Sequence, residues 1–263
     1  MNIGLKVINL NTELSNYLKI ALDVLKIGIK ALDSNIDHFN YVESENDRDI
    51  KVRADRELHN ILIEELKHRS TFNILSEEGK DNTFLNNEYN WILDPLDGSF
   101  NYYRGIPFYC ISIGLWKGLE PVLGVIGNVP FNEIYYGVLG DGARKNEKII
   151  KVSKISHFSN AVLTTGFPIN YSFSKENIDK FFNNIKKYKK VRLFGSAAMS
   201  LSLLASGKVD VYSEENIFIW DVAAGISIVM AAGGKVIFRQ GDFVNTLTVF
   251  ASNGALPVTG PNI

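Results

Sequence analysis

Apolar positions at Leu14, Tyr17, Leu18, Ala21, Leu22, Leu25, Ile29 and Leu32 recur with the period of one helix face, which predicts a long amphipathic helix capped by Asn11 or Thr12. A second stripe, Leu58, Ile61, Leu62 and Leu66, predicts a helix over 53–68 with Asp55 near its start. The texture then changes to short apolar runs bounded by Gly, Pro and Asn, and 72–75, 89–93, 109–115, 122–129 and 133–138 read as strands. After a turn at Gly140-Asp141-Gly142, the two patterns alternate. A basic surface helix over 174–188 precedes a strand at 191–194, a helix over 196–206 closed by Gly207, and a strand at 209–212. An Ala-rich helix over 221–232 ends at Gly233-Gly234, and strands at 235–238 and 247–251 follow. Strands gathered in the first half and alternation in the second predict two layered α/β subdomains, 1–150 and 151–263.

Composition narrows the function. At 263 residues and 46% hydrophobic the chain can bury a substantial core. Its 28 Lys+Arg balance 29 Asp+Glu, so no broad field recruits nucleic acid or an anionic membrane, and neither partner is expected. A single cysteine excludes an internal disulfide framework, and His38, His59, His68 and His157 form no zinc-binding pattern. Cys110 sits within an apolar strand and reads as a core thiol. No apolar run reaches the ~20 residues of a membrane span. No basic segment with an apolar core and cleavage site opens the chain, so a soluble, cytoplasmic protein is expected. Gly207-Lys208 and Gly234-Lys235 lack the earlier glycine and the following Ser/Thr of a phosphate loop, and no G-x-G-x-x-G follows a strand. The run Lys186-Lys187-Tyr188-Lys189-Lys190 reads as a solvated helix end.

The chemistry concentrates in acidic residues at element ends. In Trp91-Ile92-Leu93-Asp94-Pro95-Leu96-Asp97-Gly98-Ser99 a buried strand runs into two carboxylates, and Pro95 stiffens the turn so that both can face one point. Carboxylates so close repel unless a cation sits between them, and oxygen ligands of this kind, with the Leu96 carbonyl, suit Mg²⁺ or Mn²⁺. Gly98 and Ser99 could open a short helix whose free N–H groups cradle a phosphate; the ordinary alternative is a turn in which Asp97 caps that helix. Glu77-Glu78 after a strand, Asp221 opening an apolar helix and Asp55 near a helix start each have ordinary readings as loop, N-cap or first-turn acids. Together, with one serine hydroxyl and no candidate catalytic His or Cys, they are what metal-assisted phosphoryl hydrolysis requires.

The same residues carry a resemblance. Asp94-Pro-Leu-Asp97-Gly-Ser99 with Gly105-Ile-Pro, the upstream Glu77-Glu78, and Trp220-Asp221-Val-Ala-Ala-Gly225 with Ala-Ala-Gly233-Gly234 resemble both signatures of the inositol monophosphatase family. Asn146, Thr165-Gly166-Phe167-Pro168, Gly195-Ser196-Ala197-Ala198 and Ser252-Asn253 extend the resemblance over nearly the whole chain. It implies the layered αβαβα sandwich of inositol monophosphatase and fructose-1,6-bisphosphatase, a phosphoric monoester hydrolase using two or three Mg²⁺ ions, with Mn²⁺ as a possible substitute, and a homodimer. Glu77, Asp94 and the carbonyl of Leu96 would hold a first ion, Asp94, Asp97 and Asp221 a second, and Glu77 would help hold a third. Ser99, where most members have Thr, and Asp55 would deprotonate a water activated by one Mg²⁺, and the second ion would stabilise the leaving alkoxide. The Gly98 and Ser99 amides would bind phosphate, and Gly195, Ser196, Ala197 and Glu214 would touch the ring or sugar hydroxyls.

The substrate implied is a small phosphate ester, inositol 1-phosphate or a related sugar phosphate, including fructose 1,6-bisphosphate. Phe100-Asn101-Tyr102 departs from the Lys-Glu-Phe of members acting on 3′-phosphoadenosine 5′-phosphate, and Gly195-Ser196-Ala197-Ala198 argues against histidinol phosphate. Both remain alternatives, as does a binding or regulatory protein on the same fold. Counting back from Asp55 without a gap, the position where several members carry a basic residue falls at Ser44, between Glu43 and Glu45. The glutamate many members have before the terminal Ala-Gly-Gly is Ala231.

Overall fold

The N-terminal apolar stripe forms α1 (Thr12–Ser34), with Ala21, Val24, Leu25, Gly28 and Leu32 buried on one face. The computed structural model describes residues 12–45, 50–79, 87–167 and 171–256; the proposed cap Asn11 and the motif residue Pro168 lie outside them. A short α2 (Ile36–Phe39) leads to an antiparallel pair, β1 (Val42–Glu45) and β2 (Ile50–Val52), and then to α3 (Arg53–Arg69). Leu58, Leu62 and Leu66 of α3 are fully buried in one cluster with α1, each contributing about 1.5–3 kcal/mol by leaving water.

The apolar runs that follow pair into one seven-stranded sheet. Its strands are β3 (Asn73–Ser76), β4 (Tyr89–Asp97), β5 (Cys110–Lys117), β6 (Glu120–Asn128), β7 (Glu133–Val138), β8 (Gly142–Lys145) and β9 (Lys148–Ile150), in sequence order, with α4 (Ser99–Tyr103) between β4 and β5. Only β3 and β4 run parallel; the rest form an antiparallel meander. Alternation along β5 divides its side chains: Ile111, Ile113 and Leu115 join the cluster under α1 and α3, while Cys110 and Trp116 join the cluster on the other face.

A second sheet follows, in the order β11 (Lys190–Arg192), β10 (Val162–Thr164), β12 (Val211–Phe218), β14 (Thr246–Ser252), β13 (Lys235–Gln240). Between the two sheets lie α6 (Ala197–Ala205) and α7 (Ile219–Ala231), whose residues are buried almost throughout. The outer face carries α5 (Lys175–Ile185), capped by the Ser174 hydroxyl and seated through Ile185 on Leu163, Val211 and Phe250. The layers therefore run α1/α3, sheet, α6/α7, sheet, α5, the αβαβα order that the resemblance implies.

One contact decides how deep α7 sits. Gly114 and Gly124 are directly opposed on β5 and β6. A Cβ on Gly124 would lie 2.2 Å from the Ala224 carbonyl oxygen, and one on Gly114 3.1 Å from the Ala224 nitrogen. The helix backbone rests on bare strand backbone there, which only glycine allows.

Two strands run past their expected ends through polar residues. The β4 strand continues through Pro95 to Asp97, bulging opposite Ser112 and Cys110. The β12 strand continues through Ser213-Glu214-Glu215-Asn216, whose polarity hides a strand that β14 completes by its ladder. Strands β1, β2, β8, β9 and β10 are three or four residues long and escape a periodicity reading. Cys110 is fully buried, as expected.

Candidate active site

Parallel pairing matches Ser76 of β3 with Leu93 of β4, and the Glu77 N–H donates to the Leu93 carbonyl at 3.2 Å. Glu77 and Asp94 therefore leave adjacent strands at the same end. Asp221 arrives from the first turn of α7; Phe218 occupies the N-cap position, so Asp221 is not that helix's cap. Glu77, Asp94 and Asp221 offer oxygens that all lie within 4.8 Å of one another. Asp94 is buried, and the other two open partly onto a cleft of about 260 Å³.

Three like charges so close are unfavourable without a cation. Burial, and then the charges of Glu77, Asp97 and Asp221, hold Asp94 well above the usual carboxylate range. Asp221 is raised well above it for the same reasons, by burial first and then by Glu77 and Asp97. An all-oxygen donor set with mutually raised pKa values fits a hard divalent ion such as Mg²⁺ or Mn²⁺.

Asp97 lines the same cleft but stands outside this triad. Its Oδ2 accepts from Ser196 Oγ at 2.6 Å and from the Ala198 N–H at 2.7 Å, tying the end of β4 to the start of α6. Burial pushes its carboxyl up to about 6, against the pull of those two bonds. Leu96 donates its N–H to Asp94 Oδ1 at 2.9 Å, and its carbonyl accepts from Ser99 Oγ at 2.8 Å.

Ser99 Oγ also lies 2.6 Å from Asp55 Oδ1. Asp55, in the first turn of α3, is buried, and its Oδ2 accepts the Val52 N–H at 2.7 Å. Burial pushes Asp55 up to about 7, although the Ser99 bond opposes the shift. One hydroxyl proton serves two acceptors here. With Asp55 ionised, Ser99 donates to it; with Asp55 protonated, the carboxyl donates to Ser99 Oγ and Ser99 donates to the Leu96 carbonyl.

Gly98 is left-handed at φ 87°, so the chain turns sharply from β4 into α4, where the first N–H groups have no partner within the helix. The opposite wall is Gly195, Ser196 and Ala197, with Ser196 capping α6. Glu214, on β12, accepts from the Tyr212 hydroxyl at 3.0 Å, and burial pushes it up to about 7. A side chain at Gly166 would lie 2.8 Å from the Glu214 carboxylate oxygens, so that position must stay bare for Glu214 to face the cleft.

Two residues here were not singled out by the sequence. Asn101 Nδ2 donates to the carbonyls of Phe108 and Phe194, both at 2.8 Å, tying α4 to the chain before β5 and to the chain before α6. Lys51 Nζ bonds Glu77 and also Glu78, the latter at 2.6 Å. Burial pulls the Lys51 ammonium down, but Glu77 and Glu78 outweigh it and hold the pKa above the ordinary lysine value. Ser44, where gapless counting put the basic position, pairs across the strands with Lys51. The signal was present: Ile50 and Val52 are buried, so alternation aims Lys51 to the other side, four residues before Asp55.

The family model for the inositol monophosphatase family matches residues 13–259. The chain belongs to the inositol monophosphatase family. It is 33% identical over 256 residues to the inositol monophosphatase of Mesembryanthemum crystallinum, covering 94% of each chain. It is 32% identical over 213 residues to the fructose-1,6-bisphosphatase/inositol-1-monophosphatase of Thermotoga maritima, covering 80% of each. The solved inositol monophosphatase of an Anabaena (Nostoc) species superposes with a TM-score of 0.79 at 32% identity, covering 93% of each chain. This inositol monophosphatase family member is a phosphoric monoester hydrolase. Among the described residues no helix is long and apolar enough to cross a membrane.

Proposed function

We propose that the protein hydrolyses a small phosphate monoester, inositol 1-phosphate or a related sugar phosphate, with Mg²⁺. The observation that carries this reading is the Glu77–Asp94–Asp221 cluster opening into the same cleft as Ser99, whose hydroxyl bonds the buried Asp55 behind it. Glu77, Asp94 and the Leu96 carbonyl would hold one ion, and Asp94, Asp97 and Asp221 a second. Bound there, the ions supply Lewis acidity that acidifies a water and offsets charge on the phosphoryl and leaving oxygens. The remaining work falls to the chain.

Ser99 Oγ accepts a proton from the attacking water as it passes its own to Asp55 Oδ1, a carboxylate whose burial favours taking up a proton. The Gly98 and Ser99 N–H groups at the start of α4 orient the phosphate. Gly195, Ser196, Ala197 and Glu214 face the alcohol, where carboxylate and hydroxyl groups suit a polyol. In this division the segment 1–150 brings most of the metal ligands, and 151–263 brings Asp221 and the polyol contacts.

A monophosphate is favoured over a bisphosphate. A second phosphate needs its own cation or cluster of donors, and the described residues lining the cleft include no lysine and no arginine. The test is phosphate release from inositol 1-phosphate, fructose 1,6-bisphosphate, histidinol phosphate and 3′-phosphoadenosine 5′-phosphate, with and without Mg²⁺. Release should be fastest from inositol 1-phosphate and require the metal. No release from any of the four would overturn the reading.

A further inference from the structure

Lys51 is the one lysine or arginine whose ion pairs, among those described, reach the carboxylates of the site. It bonds Glu77, which belongs to the acidic triad, and Glu78, which does not. Its own strand step matters as well. Val52, the next residue, gives its N–H to Asp55, so β2 presents a cation and an orienting donor from two consecutive positions.

Two adjacent carboxylates, one of them in an acidic cluster, offer the oxygen ligands that hard cations take. Here an ammonium spans the two carboxylates from an anchored strand. Two positive centres cannot share Glu77 and Glu78 at that range without strong repulsion.

We propose that Lys51 is a resident cation of the active site, holding Glu77 toward the triad and closing the Glu77–Glu78 pair to a divalent ion. Metal binding is thereby confined to the Glu77–Asp94–Asp221 side of the cluster. This rests on the reading of that cluster as a divalent-metal site. Lys51 is a positioning residue; it touches neither substrate nor reacting atoms.

Mn²⁺ binding, counted by equilibrium dialysis or by the electron-spin signal of the free ion, tests it without reference to turnover. Lys51→Met should bind one more Mn²⁺ per chain than the parent. Lys51→Arg should bind as many as the parent, and Lys51→Met combined with Glu78→Gln should return to the parent's number. Lys51→Gln replaces the methionine variant if that does not give a cooperative thermal melt. An unchanged Mn²⁺ count in Lys51→Met or Lys51→Gln, with the parent binding Mn²⁺ normally, overturns the role of Lys51 alone. A parent that binds no Mn²⁺ overturns the metal-site reading beneath it.

Discussion

Ser99 Oγ and Asp55 Oδ1 lie 2.6 Å apart although 44 residues separate them, and the bond joins the first turn of α3 to the chain that has just left β4. If this pair relays the proton of the attacking water, the hydroxyl is needed and the methyl of a threonine is not. Ser99→Ala should lower kcat by about 10²–10⁴-fold, the usual range for losing a proton-transfer partner. Ser99→Thr should stay near the parent rate. Steady-state phosphate release at saturating Mg²⁺ measures both.

Asp94 is buried among Glu77, Asp97 and Asp221, and its carboxyl is held well above the usual range. Asp94→Asn should abolish phosphate release and weaken Mn²⁺ binding while leaving the fold intact. In EDTA the same variant should melt higher than the parent, because one of three converging charges is gone. Relief of about 1 kcal/mol would raise Tm by about 2–4 °C in a chain of this size. Calorimetry with and without Mg²⁺ distinguishes this from simple misfolding, which would lower both melts.

Stability of the metal-free protein should depend on pH with an unusual sign. Asp55 and Glu214 sit at about 7 and Asp97 at about 6 in the fold, all above their ordinary values. Between those ordinary values, about 4, and about 7, the native state binds more protons than the unfolded chain. Stability therefore falls as pH rises through that window. Tm in EDTA should be higher near pH 5.5 than near pH 8, and saturating Mg²⁺ should shrink the difference. A melt that rises from pH 5.5 to pH 8 in EDTA would contradict the assignment of burial as the main cause.

Asn101 ties the chain before β5 to the chain before α6. Asn101→Ala leaves the Phe108 and Phe194 carbonyls without that donor and should cost about 1–3 kcal/mol. The loss should appear as a lower midpoint in urea, accompanied by a fall in kcat/KM as the loop before α6 loosens.

The layered order, the two long N-terminal helices and the acidic ligands were legible because each leaves a local mark: a period of 3.6, a strand running into carboxylates, a family-like motif. Burial of Glu214 in a strand was not, since cross-strand partners and not its neighbours in sequence define β12. The reach of Lys51 was missed for a related reason. Its significance depends on β3, which ends at Ser76 and delivers Glu77 and Glu78 to the strand that carries the lysine. Asp97 was legible as an acidic residue of the site, but the tie its Oδ2 makes to the Ser196 hydroxyl and the Ala198 N–H was not, because those partners come from the start of α6, about a hundred residues on.

Gly114 and Gly124 are not among the residues that line the acidic cleft, yet they let the helix that carries Asp221 settle onto the sheet that carries Asp94. The diameter of the acidic cluster is thus gauged by two missing methyl groups. A mutational screen scored on turnover would flag both glycines beside Asp94 and Asp221. Only a count of bound ions against distance between α7 and the sheet would tell the ruler from the ligands it spaces.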